Sequence, residues 1–509
     1  MAVYVFNLLV GWVHNGVDTA QGYRARLLRK NGHSMWYVFT DLPGTMELSR
    51  YEKAGIDIGQ MLSMYQYFTD NHTLEVSVTV ADKLKELKEH LHYTDIDCRE
   101  EEICLFRDGM IIATVSLEKK DRNRIRCIYY FEHGKLIRKE NYTDGISYID
   151  YYVTAESSNG LYAKLVRRTF CNSDGSVAYN QIFDGKEIFL FPDGKSYTKV
   201  QMIAEFVRRL NLSEQDTVLI DRSAQLDFVQ PLFQYGNKAR FIAIVHSGHY
   251  FEKGEDPDSI YLNKEYYYWF KYLKWIDTMV VSTEEQREEL IKKLQEYHSV
   301  LPNVEVISAG GIDYLRYPTD GRKQCSLLAV SRIHPRKKVD WIVKSIIKAH
   351  QINSDISIDI YGGCDSSGYL EILQNIVTSN NAQAYIRFMG YMDVREVYKN
   401  YEVFITASLW ETLGLSTMEA IGSGTAVIGL NVKYGNRLFV HSEENGYLVD
   451  FDSSYVDNDS VLIDEIARKI VDIFADKKRL DEFHKNSYKI SQNFLSDSIR
   501  SKWEKLLSL

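Results

Sequence analysis

Two glutamates separated by seven residues form the strongest chemical pattern in this sequence. They are Glu411 and Glu419, in the run SLWETLGLSTMEA at 408–420. The run follows an apolar stretch typical of a buried strand and leads into a helical pattern. Glu411 is therefore predicted in a loop at the carboxyl end of a strand, where open α/β sheets bind ligands. An ordinary helix start also favours acidic residues, so this run alone leaves a purely structural interpretation open.

The amides that follow Glu411 are expected to face an anion, since a helix N-terminus carries free N–H groups and partial positive charge. These are the amides of Thr412, Leu413, Gly414 and Leu415. Gly414 lets the backbone approach a ligand closely. Glu419, one to two helical turns further on, is suited to accept hydrogen bonds from a diol.

Two cations in a second loop, Arg332 and Lys337, suit a diphosphate. They belong to the run SRIHPRKKVD at 331–340, which follows a predicted strand and precedes a predicted helix. Arginine offers a planar fork of donors and lysine a point charge, and both bind phosphate oxygens. A solvated basic turn is the alternative, and we interpret Arg336 and Lys338 in that way.

The elements that must position these residues are alternating strands and helices. Residues 1–67 and residues from 197 onward show this alternation, which predicts parallel sheets with crossover connections. The later set includes a helix predicted at Val394–Asn400. Between the two regions, strand-like segments are separated by Asp-Gly at 108, 144, 174, 184 and 193 and by Asn159-Gly160. Such pairs are strong hairpin signals and predict an antiparallel β-meander.

The predicted fold class is α/β, with two doubly wound Rossmann-like domains and an antiparallel β-meander inserted in the first. The predicted boundaries are 1–74 and 199–320 for the two parts of the N-terminal domain and 75–198 for the meander. Residues 321–490 form the predicted C-terminal domain, and a terminal helix at 491–509 is predicted to pack back on the first domain. This architecture places a ligand in the cleft between the two Rossmann-like domains.

Composition excludes several function classes. A net charge of −9 argues against nonspecific nucleic-acid binding, which needs a basic surface. The six cysteines show no metal-ligand spacing and are expected to be reduced thiols. The first residues are apolar without a basic segment or a cleavage site, and no window reaches the roughly 18 apolar residues of a spanning helix. The predicted location is the cytoplasm, with peripheral attachment at the inner face of the cell membrane left open.

Taken together, these motifs resemble the retaining GT-B glycosyltransferases of family four. The resemblance rests on the spacing of Arg332 and Lys337, on the pair Glu411 and Glu419, and on their order along the chain. Further matches are Gly390-Tyr391 after a short strand, the run EAIGSGTAVI at 419–428, and Asn445-Gly446. The matches cover nearly the whole of the second predicted domain.

The resemblance implies roles for these residues. The cations would bind the diphosphate of a nucleotide-sugar donor, Glu411 would contact the transferred sugar, and Glu419 would hold the ribose. The segment Gly390, Tyr391 and Met392 would lie beside the base, and Gly16, Val17 and Asp18 form a glycine-bearing first loop near the donor. His246, after another strand, corresponds to a histidine near the sugar, so Glu411 and His246 are the catalytic candidates. A histidine at a strand end is as often structural, and that interpretation of His246 stays open.

No metal and no cofactor are predicted, and the resemblance implies UDP-GlcNAc or UDP-glucose as donor. The two Asp-x-Asp sequences, Asp95-Ile-Asp97 and Asp256-Pro-Asp258, lack the strand context of a metal site. In the family, Lys338 is commonly glycine, and we expect little consequence from this departure.

A narrower resemblance is to the O-GlcNAc transferases of Gram-positive bacteria that start glycosylation of serine-rich repeat adhesins before accessory-Sec export. It rests on Gly11-Trp12, Gly16-Val17, the run AQGYRA at 20–25, Phe39-Thr40-Asp41 and the run YQYFTD at 65–70. The resemblance implies transfer of GlcNAc to Ser/Thr, with the meander contacting the serine-rich acceptor polypeptide and a homologous noncatalytic companion subunit. Three alternatives stay open: a wall teichoic acid GlcNAc transferase, a UDP-glucose-dependent protein O-glucosyltransferase, and the noncatalytic companion subunit itself.

Overall fold

The computed structural model of the chain describes residues 2–7, 16–29, 35–42, 51–53, 55–158, 160–221, 229–256, 259–364, 368–456 and 458–508. The chain divides into two compact units. The first unit is Met1–His14, His33–Ile242 and Lys264–Asp277, and the second is Asn15–Gly32, Ala243–Asn263 and Thr278–Leu509.

The strands are numbered in chain order. They are β1 Val3–Asn7, β2 Met35–Phe39, β3 Met61–Ser63, β4 Asp95–Cys98, β5 Glu102–Arg107, β6 Met110–Leu117, β7 Ile125–Glu132, β8 Lys135–Tyr142, β9 Ile146–Ser157, β10 Gly160–Cys171, β11 Val177–Asp184, β12 Lys186–Leu190, β13 Ser196–Thr198, β14 Thr217–Ile220, β15 Arg240–Ile244, β16 Tyr250–Asp256, β17 Ser259–Leu262, β18 Thr278–Val281, β19 Asn303–Val306, β20 Lys323–Val330, β21 Ser357–Tyr361, β22 Ile386–Gly390, β23 Tyr401–Thr406, β24 Ala426–Leu430 and β25 Gly446–Val449.

The α-helices are numbered in the same way. They are α1 Gly16–Arg29, α2 Met64–Tyr67, α3 Val80–Leu91, α4 Lys199–Leu210, α5 Val229–Tyr235, α6 Tyr267–Lys271, α7 Glu284–Tyr297, α8 Val339–Ile352, α9 Tyr369–Ser379, α10 Leu415–Gly422, α11 Gly435–Phe439, α12 Ser460–Ala475, α13 Lys477–Ser491 and α14 Ser496–Leu507. Among the residues with a described structure, no helix is both long and apolar enough to cross a membrane.

The strands that alternate with helices form parallel sheets, as the sequence predicts. Over the described ranges, one sheet has the order β19-β18-β15-β14-β1-β2-β3, and β1 pairs in parallel with both β2 and β14. The first strand thus lies inside the sheet, with later strands added on both sides. This order is that of a doubly wound sheet with a switch point beside the first strand.

A meander of ten strands, counted within the described part of the chain, lies in the first unit. Its order follows the sequence from β4 to β13, and each neighbouring pair is antiparallel. All five Asp-Gly pairs named above lie at turns between consecutive strands of this sheet, with Asp184 as the last residue of β11, and Asn159 lies outside the described residues. Helix α3 covers one face, where Leu87 packs in a cluster with Leu105 and Val115.

The second unit contains a parallel sheet, of six strands in the described residues, in the order β22-β21-β20-β23-β24-β25. Apolar clusters lie on its two faces. One includes Trp341 of α8 and Ile466 of α12, and the other includes Met418 of α10 and Phe404 of β23. The predicted class, two doubly wound sheets plus a meander, is thereby confirmed. The exact domain boundaries stay a prediction.

One of the elements that differ from their predictions follows β22. The segment Val394–Asn400 is not an α-helix, and its helical part is a single 3₁₀ turn at Tyr398–Asn400. Asp393 accepts a hydrogen bond from the amide of Arg395 at 3.1 Å, which favours a local turn over helical propagation. Tyr398 is fully buried against the sheet, so tertiary packing sets this conformation.

Candidate active site

The loops that follow β20, β21 and β22 are joined at one edge of the C-terminal sheet. The amide of Ser331 donates to the carbonyl of Tyr361 at 3.0 Å, and that of Gly362 donates to the carbonyl of Gly390 at 2.9 Å. A Cβ on Gly362 would lie 1.8 Å from the Ser331 carbonyl oxygen, so only glycine allows this approach. The loops carrying Arg332 and Gly390 are thus brought together.

Lys337 and Glu411 form an ion pair at this edge. The Lys337 ammonium lies 2.5 Å from Glu411 Oε1 and also donates to Ser408 Oγ at 3.1 Å. Both side chains are partly exposed, at 25% for Lys337 and 16% for Glu411. Lys337 ends a 3₁₀ turn whose cap is His334, because His334 Nδ1 accepts from the amide of Arg336. The structure therefore brings together two residues predicted from separate motifs.

Arg332 differs from Lys337 in its surroundings. Its side chain is exposed, and within the described ranges its guanidinium has no hydrogen-bond or ion-pair partner. The sequence predicts that both cations bind one diphosphate. Among the described residues the arginine has no ion-pair partner, whereas the lysine is engaged by the carboxylate of Glu411.

Lys338 adopts a left-handed conformation between the 3₁₀ turn and α8. Its φ is +47°, a value that favours glycine and is strained for a lysine. Its ammonium lies 4.5 Å from the centroid of the Trp341 ring. The substitution of the family's glycine therefore has a conformational consequence, contrary to our expectation.

Gly414 starts α10 in a conformation that requires glycine. Its φ is +79°, and a Cβ there would lie 3.3 Å from Thr417 Oγ1 and 3.9 Å from Glu411 Cβ. In the described part of the chain, none of the amides from Thr412 to Leu415 donates to a protein acceptor. These amides are available to an anion beside Glu411, as the helix N-terminus predicts.

Glu419 lies on α10 and is fixed by Tyr398. The Tyr398 hydroxyl donates to Glu419 Oε2 at 3.0 Å. Burial raises the pKa of Glu419 above its ordinary value, while Tyr398, Arg316 and Arg395 act in the opposite direction. Burial is also the first cause, with Glu419 the second, of the raised pKa of Tyr398. One oxygen of Glu419 is thus committed to a phenol, and Oε1 is left for a ligand.

Gly390, Tyr391 and Met392 form an exposed surface at the end of β22. Gly390 has a φ of +71°, while Tyr391 is 82% exposed. A Cβ on Gly363 would lie 3.7 Å from Tyr391 Cβ, so the Cβ of Tyr391 lies beside the loop after β21. An exposed aromatic side chain at this edge of the sheet offers a face for stacking.

His246 follows β15 and lines a small cavity. The cavity has a volume of about 10 Å³, which is enough to hold about one water molecule. Its other walls include Ala20 and Arg24 of α1, Ser308, and Trp503 of α14. The structure therefore places His246 beside α1.

Gly16, Val17 and Asp18 form the first turn of α1. Gly16 is exposed, with nothing within 4 Å of a Cβ built there, and Val17 is partly exposed. Asp18 is buried. Asn15, Gly11 and Trp12 lie outside the described residues.

The two candidate metal sequences have ordinary surroundings where they are described. Asp95 and Asp97 lie on the exposed strand β4, and Asp97 pairs with Arg99 at 2.9 Å. Of the second sequence, Pro257 and Asp258 lie outside the described residues. The absence of a metal stays a prediction.

The sequence did not predict the residues that pack around the Glu411 segment and hydrogen-bond to its backbone. Trp410 lies against Gly248, where a Cβ would come within 2.1 Å of its ring, and its ring centroid lies 6.4 Å from that of Tyr434. The amide of Tyr434 donates to the Glu411 carbonyl at 2.7 Å. These contacts join segments distant in sequence. The only local signal was Gly248, two residues after His246.

Comparison with known proteins identifies two parts of this architecture, the meander and the C-terminal sheet. Residues 97–193 match the family described as the GtfA extended beta-sheet domain, and residues 324–476 match Glycosyl transferases group 1. The GtfA subunit of the UDP-N-acetylglucosamine–peptide N-acetylglucosaminyltransferase of Streptococcus gordonii is 32% identical, over 100% of this chain and 98% of the relative.

Two solved structures are similar over the full length. The pneumococcal O-GlcNAc transferase GtfA in complex with UDP and GlcNAc has a TM-score of 0.87 at 32% identity, covering 100% of this chain and 98% of that one. A GtfA/B complex gives 0.89 at 30% identity, covering 100% and 99%. The predicted GT-B glycosyltransferase fold is confirmed by these likenesses, and the chain belongs to the family of GtfA subunits of UDP-N-acetylglucosamine–peptide N-acetylglucosaminyltransferases.

Proposed function

We propose that this chain transfers GlcNAc from UDP-GlcNAc to Ser/Thr hydroxyls of a serine-rich adhesin polypeptide, the first step of its O-glycosylation. The observation that carries the proposal is the Lys337–Glu411 pair beside the Gly414 turn, in a chain related over its full length to GtfA subunits. The relatives are named for UDP-N-acetylglucosamine and a peptide acceptor, and one is solved with UDP and GlcNAc. The described residues keep both glutamates and both cations, which argues against a noncatalytic companion.

The donor would lie along the edge formed by the loops after β20, β21 and β22. Arg332 and Lys337 would hold the diphosphate together with the amides from Thr412 to Leu415. Glu419 would accept hydrogen bonds from the ribose through Oε1, because Oε2 is taken by Tyr398. Gly390, Tyr391 and Met392 would lie beside the base, with the exposed Tyr391 ring available for stacking.

The reaction would proceed with retention and without a covalent enzyme intermediate. The acceptor oxygen forms a bond to the anomeric carbon from the face on which the bond to the UDP oxygen breaks. The acceptor proton passes to the departing diphosphate. Lys337, Arg332 and the helix amides stabilise the charge that develops on UDP, and preorganised charge of this kind is often the largest catalytic term.

Glu411 and Lys337 would change partners during this step. In the structure the ammonium is shared between Glu411 Oε1 and Ser408 Oγ. A diphosphate within reach would draw the ammonium towards its oxygens and free Glu411 for the hydroxyls of the sugar. His246 would contact the sugar from the side of α1, and Gly16, Val17 and Asp18 would approach the donor or the acceptor.

The reaction would need no metal and no cofactor, because two cations and the helix N-terminus supply the positive charge. The protein would act in the cytoplasm. Its partner would be a homologous noncatalytic subunit that binds through the meander, and the similarity to the GtfA/B complex supports this.

The experiment is transfer of radiolabelled sugar from UDP-GlcNAc and from UDP-glucose, in the presence of EDTA. The acceptors are a serine-rich peptide and teichoic acid, each with and without the companion subunit. Label from UDP-GlcNAc in the peptide is expected. Label only in teichoic acid, or only from UDP-glucose, would replace the proposal by that alternative, and a chain inactive with every acceptor would be the companion subunit.

A variant pair tests the site itself. Glu411→Gln is expected to abolish transfer while UDP still binds, since the anion contacts are untouched. Glu444→Gln is the matched control, because Glu444 is 68% exposed and pairs only weakly with His441 at 3.4 Å. Equal activity of the two variants would contradict the role of Glu411.

A further inference from the structure

Two carboxylates on α7 face the segment Lys433–Arg437, which follows β24 and leads into α11. Glu285 and Glu289 are four residues apart, so they lie on the same face of the helix. Glu285 accepts from Arg437 at 2.6 Å. Glu289 uses both of its oxygens, since Oε1 contacts the Lys433 ammonium and Oε2 accepts from the Tyr434 hydroxyl at 2.6 Å.

The segment held by Glu289 is hydrogen-bonded to Glu411. The amides of Tyr434 and Gly435 both donate to the Glu411 carbonyl at 2.7 Å, and the Glu411 amide donates to the Lys433 carbonyl at 3.4 Å. These three bonds form a parallel bridge between the two segments. A contact from α7 therefore continues through the main chain to the carboxylate that faces the sugar.

The packing around this bridge leaves little room for another arrangement. Tyr434 is 1% exposed, and burial, with Glu289 second, raises its pKa above the ordinary value. A Cβ on Gly435 would lie 1.9 Å from the Leu413 carbonyl oxygen, so the segment packs directly on the turn before Gly414. Trp410 lies between Tyr434 and Gly248.

We propose that Glu289 is a positioning residue for Glu411: by holding Lys433 and Tyr434 it fixes the backbone that aims the Glu411 carboxylate at the donor sugar. This inference rests on the proposed function, because it assigns Glu289 to the same transfer reaction. Glu289 does not touch the substrate. Its effect passes through the Tyr434 phenol and the main-chain bridge. Loss of Glu289 should therefore lower the rate of transfer and leave the affinity for the donor unchanged.

The competing interpretation is that the Glu289 contacts merely stabilise the fold. The Lys433 ion pair is partly exposed, at 27% for Lys433 and 20% for Glu289, and such pairs stabilise folding little. Positioning is more sensitive, because a misplacement of about 1 Å at a reacting group can lower the rate roughly 100-fold. If the contacts only stabilise the fold, kcat and the free energy of unfolding should both change little. If they position Glu411, kcat should fall strongly while the free energy of unfolding changes little.

The variants are Glu289→Gln, Tyr434→Phe and their combination, with Glu285→Gln as matched control. The control removes the same charge from the same helix face, but its partner Arg437 is 41% exposed and makes none of the three bridge bonds. We expect kcat for GlcNAc transfer to fall about 10- to 100-fold in Glu289→Gln. The combination should fall no further than the more impaired single variant, since both act through one contact.

The affinity for UDP, compared with kcat, decides between positioning and a general loss of structure. We expect the Kd for UDP, measured by calorimetry, to stay within about twofold of wild type, because Arg332 and Lys337 are unchanged. The control should keep wild-type kcat. A Glu289→Gln variant with the kcat of the control overturns the proposal, and so does a Kd for UDP that rises as much as kcat falls.

Hydrogen exchange tests the inference without activity. In Glu289→Gln, exchange should rise in peptides that contain the Glu411, Tyr434 and Gly435 amides, and it should not rise in the control. If wild type transfers nothing from UDP-GlcNAc, the proposed function fails, yet the exchange pattern still decides whether Glu289 fixes this segment. Unchanged exchange at all three amides overturns the positioning role.

Discussion

The hydrogen bond from Tyr398 to Glu419 gives a prediction whose magnitude follows from the structure. Tyr398→Phe removes a phenol that donates to Glu419 Oε2 at 3.0 Å from a fully buried position. Burial already raises the pKa of Glu419, and the phenol is the first of the groups that lower it. Without the phenol, the pKa of this carboxyl rises further.

A hydrogen bond to a charged group contributes about 1.5–3 kcal/mol, and about 1.4 kcal/mol corresponds to a tenfold change in an equilibrium constant. Glu419 keeps some solvent exposure, so we take the lower end, about 1.5 kcal/mol, for the lost stabilisation of the ionised carboxylate. In the proposed site the ionised carboxylate accepts from the ribose. Donor binding is therefore present above the pKa of Glu419 and is lost as the pH falls through it.

The assay is the KM for UDP-GlcNAc as a function of pH. We expect the rise of KM at acid pH to begin at a higher pH in Tyr398→Phe, with KM about tenfold above wild type on that limb. Tyr179→Phe is the control, because it removes an equally buried phenol of the meander that donates to the backbone carbonyl of Tyr65 in α2 at 2.7 Å. Identical acid limbs in wild type and Tyr398→Phe would refute the assignment of Glu419 to the donor.

Four further substitutions give direct outcomes. Lys337→Ala should lower kcat about 100- to 1,000-fold, as loss of a transition-state charge contact does. Arg332→Ala should mainly raise the KM for UDP-GlcNAc. Steady-state kinetics measures both effects, and finding them exchanged between the two variants would contradict this assignment. Lys338→Gly should raise the free energy of unfolding by up to about 1 kcal/mol in urea titrations, because glycine relieves the left-handed strain, and a loss of stability would count against that strain. Gly248→Ala should lower it by about 1–3 kcal/mol by forcing a methyl group against Trp410, and a neutral result would show that the ring moves aside freely.

Local signals carried the prediction of the meander. An Asp-Gly pair adopts the turn of a two-residue hairpin through its own backbone preferences, and Asp108 and Gly109 have φ of +52° and +76°. The turn at His133-Gly134 has nearly the same geometry, with φ of +48° and +73°. It was not singled out, because histidine is a less common residue at that position.

The core of the site could also be predicted, because neighbouring strands end together. Lys337 follows β20 and Glu411 follows β23, and these strands are adjacent in the sheet. The pairing of Lys337 with Glu411 rather than with an anion could not be predicted, since it depends on side-chain distances. Glu289 and Tyr434 were missed for the same reason: their contact joins α7 to a segment 144 to 145 positions away in the chain.

The contacts of the two cations argue for a division of roles between them. Arg332 is exposed and, among the described residues, makes no ion pair. An arriving diphosphate can therefore pair with its guanidinium without breaking a protein contact. Lys337 must weaken its contact with Glu411 to serve the same diphosphate, and that exchange contributes little to the affinity of the ground state. As charge builds on the leaving UDP, the ammonium gains more from the phosphate than it loses at the carboxylate. A contact that strengthens as the reaction proceeds raises kcat, whereas one made fully on binding lowers KM. We therefore expect Arg332 to govern donor capture and Lys337 to govern the transfer step.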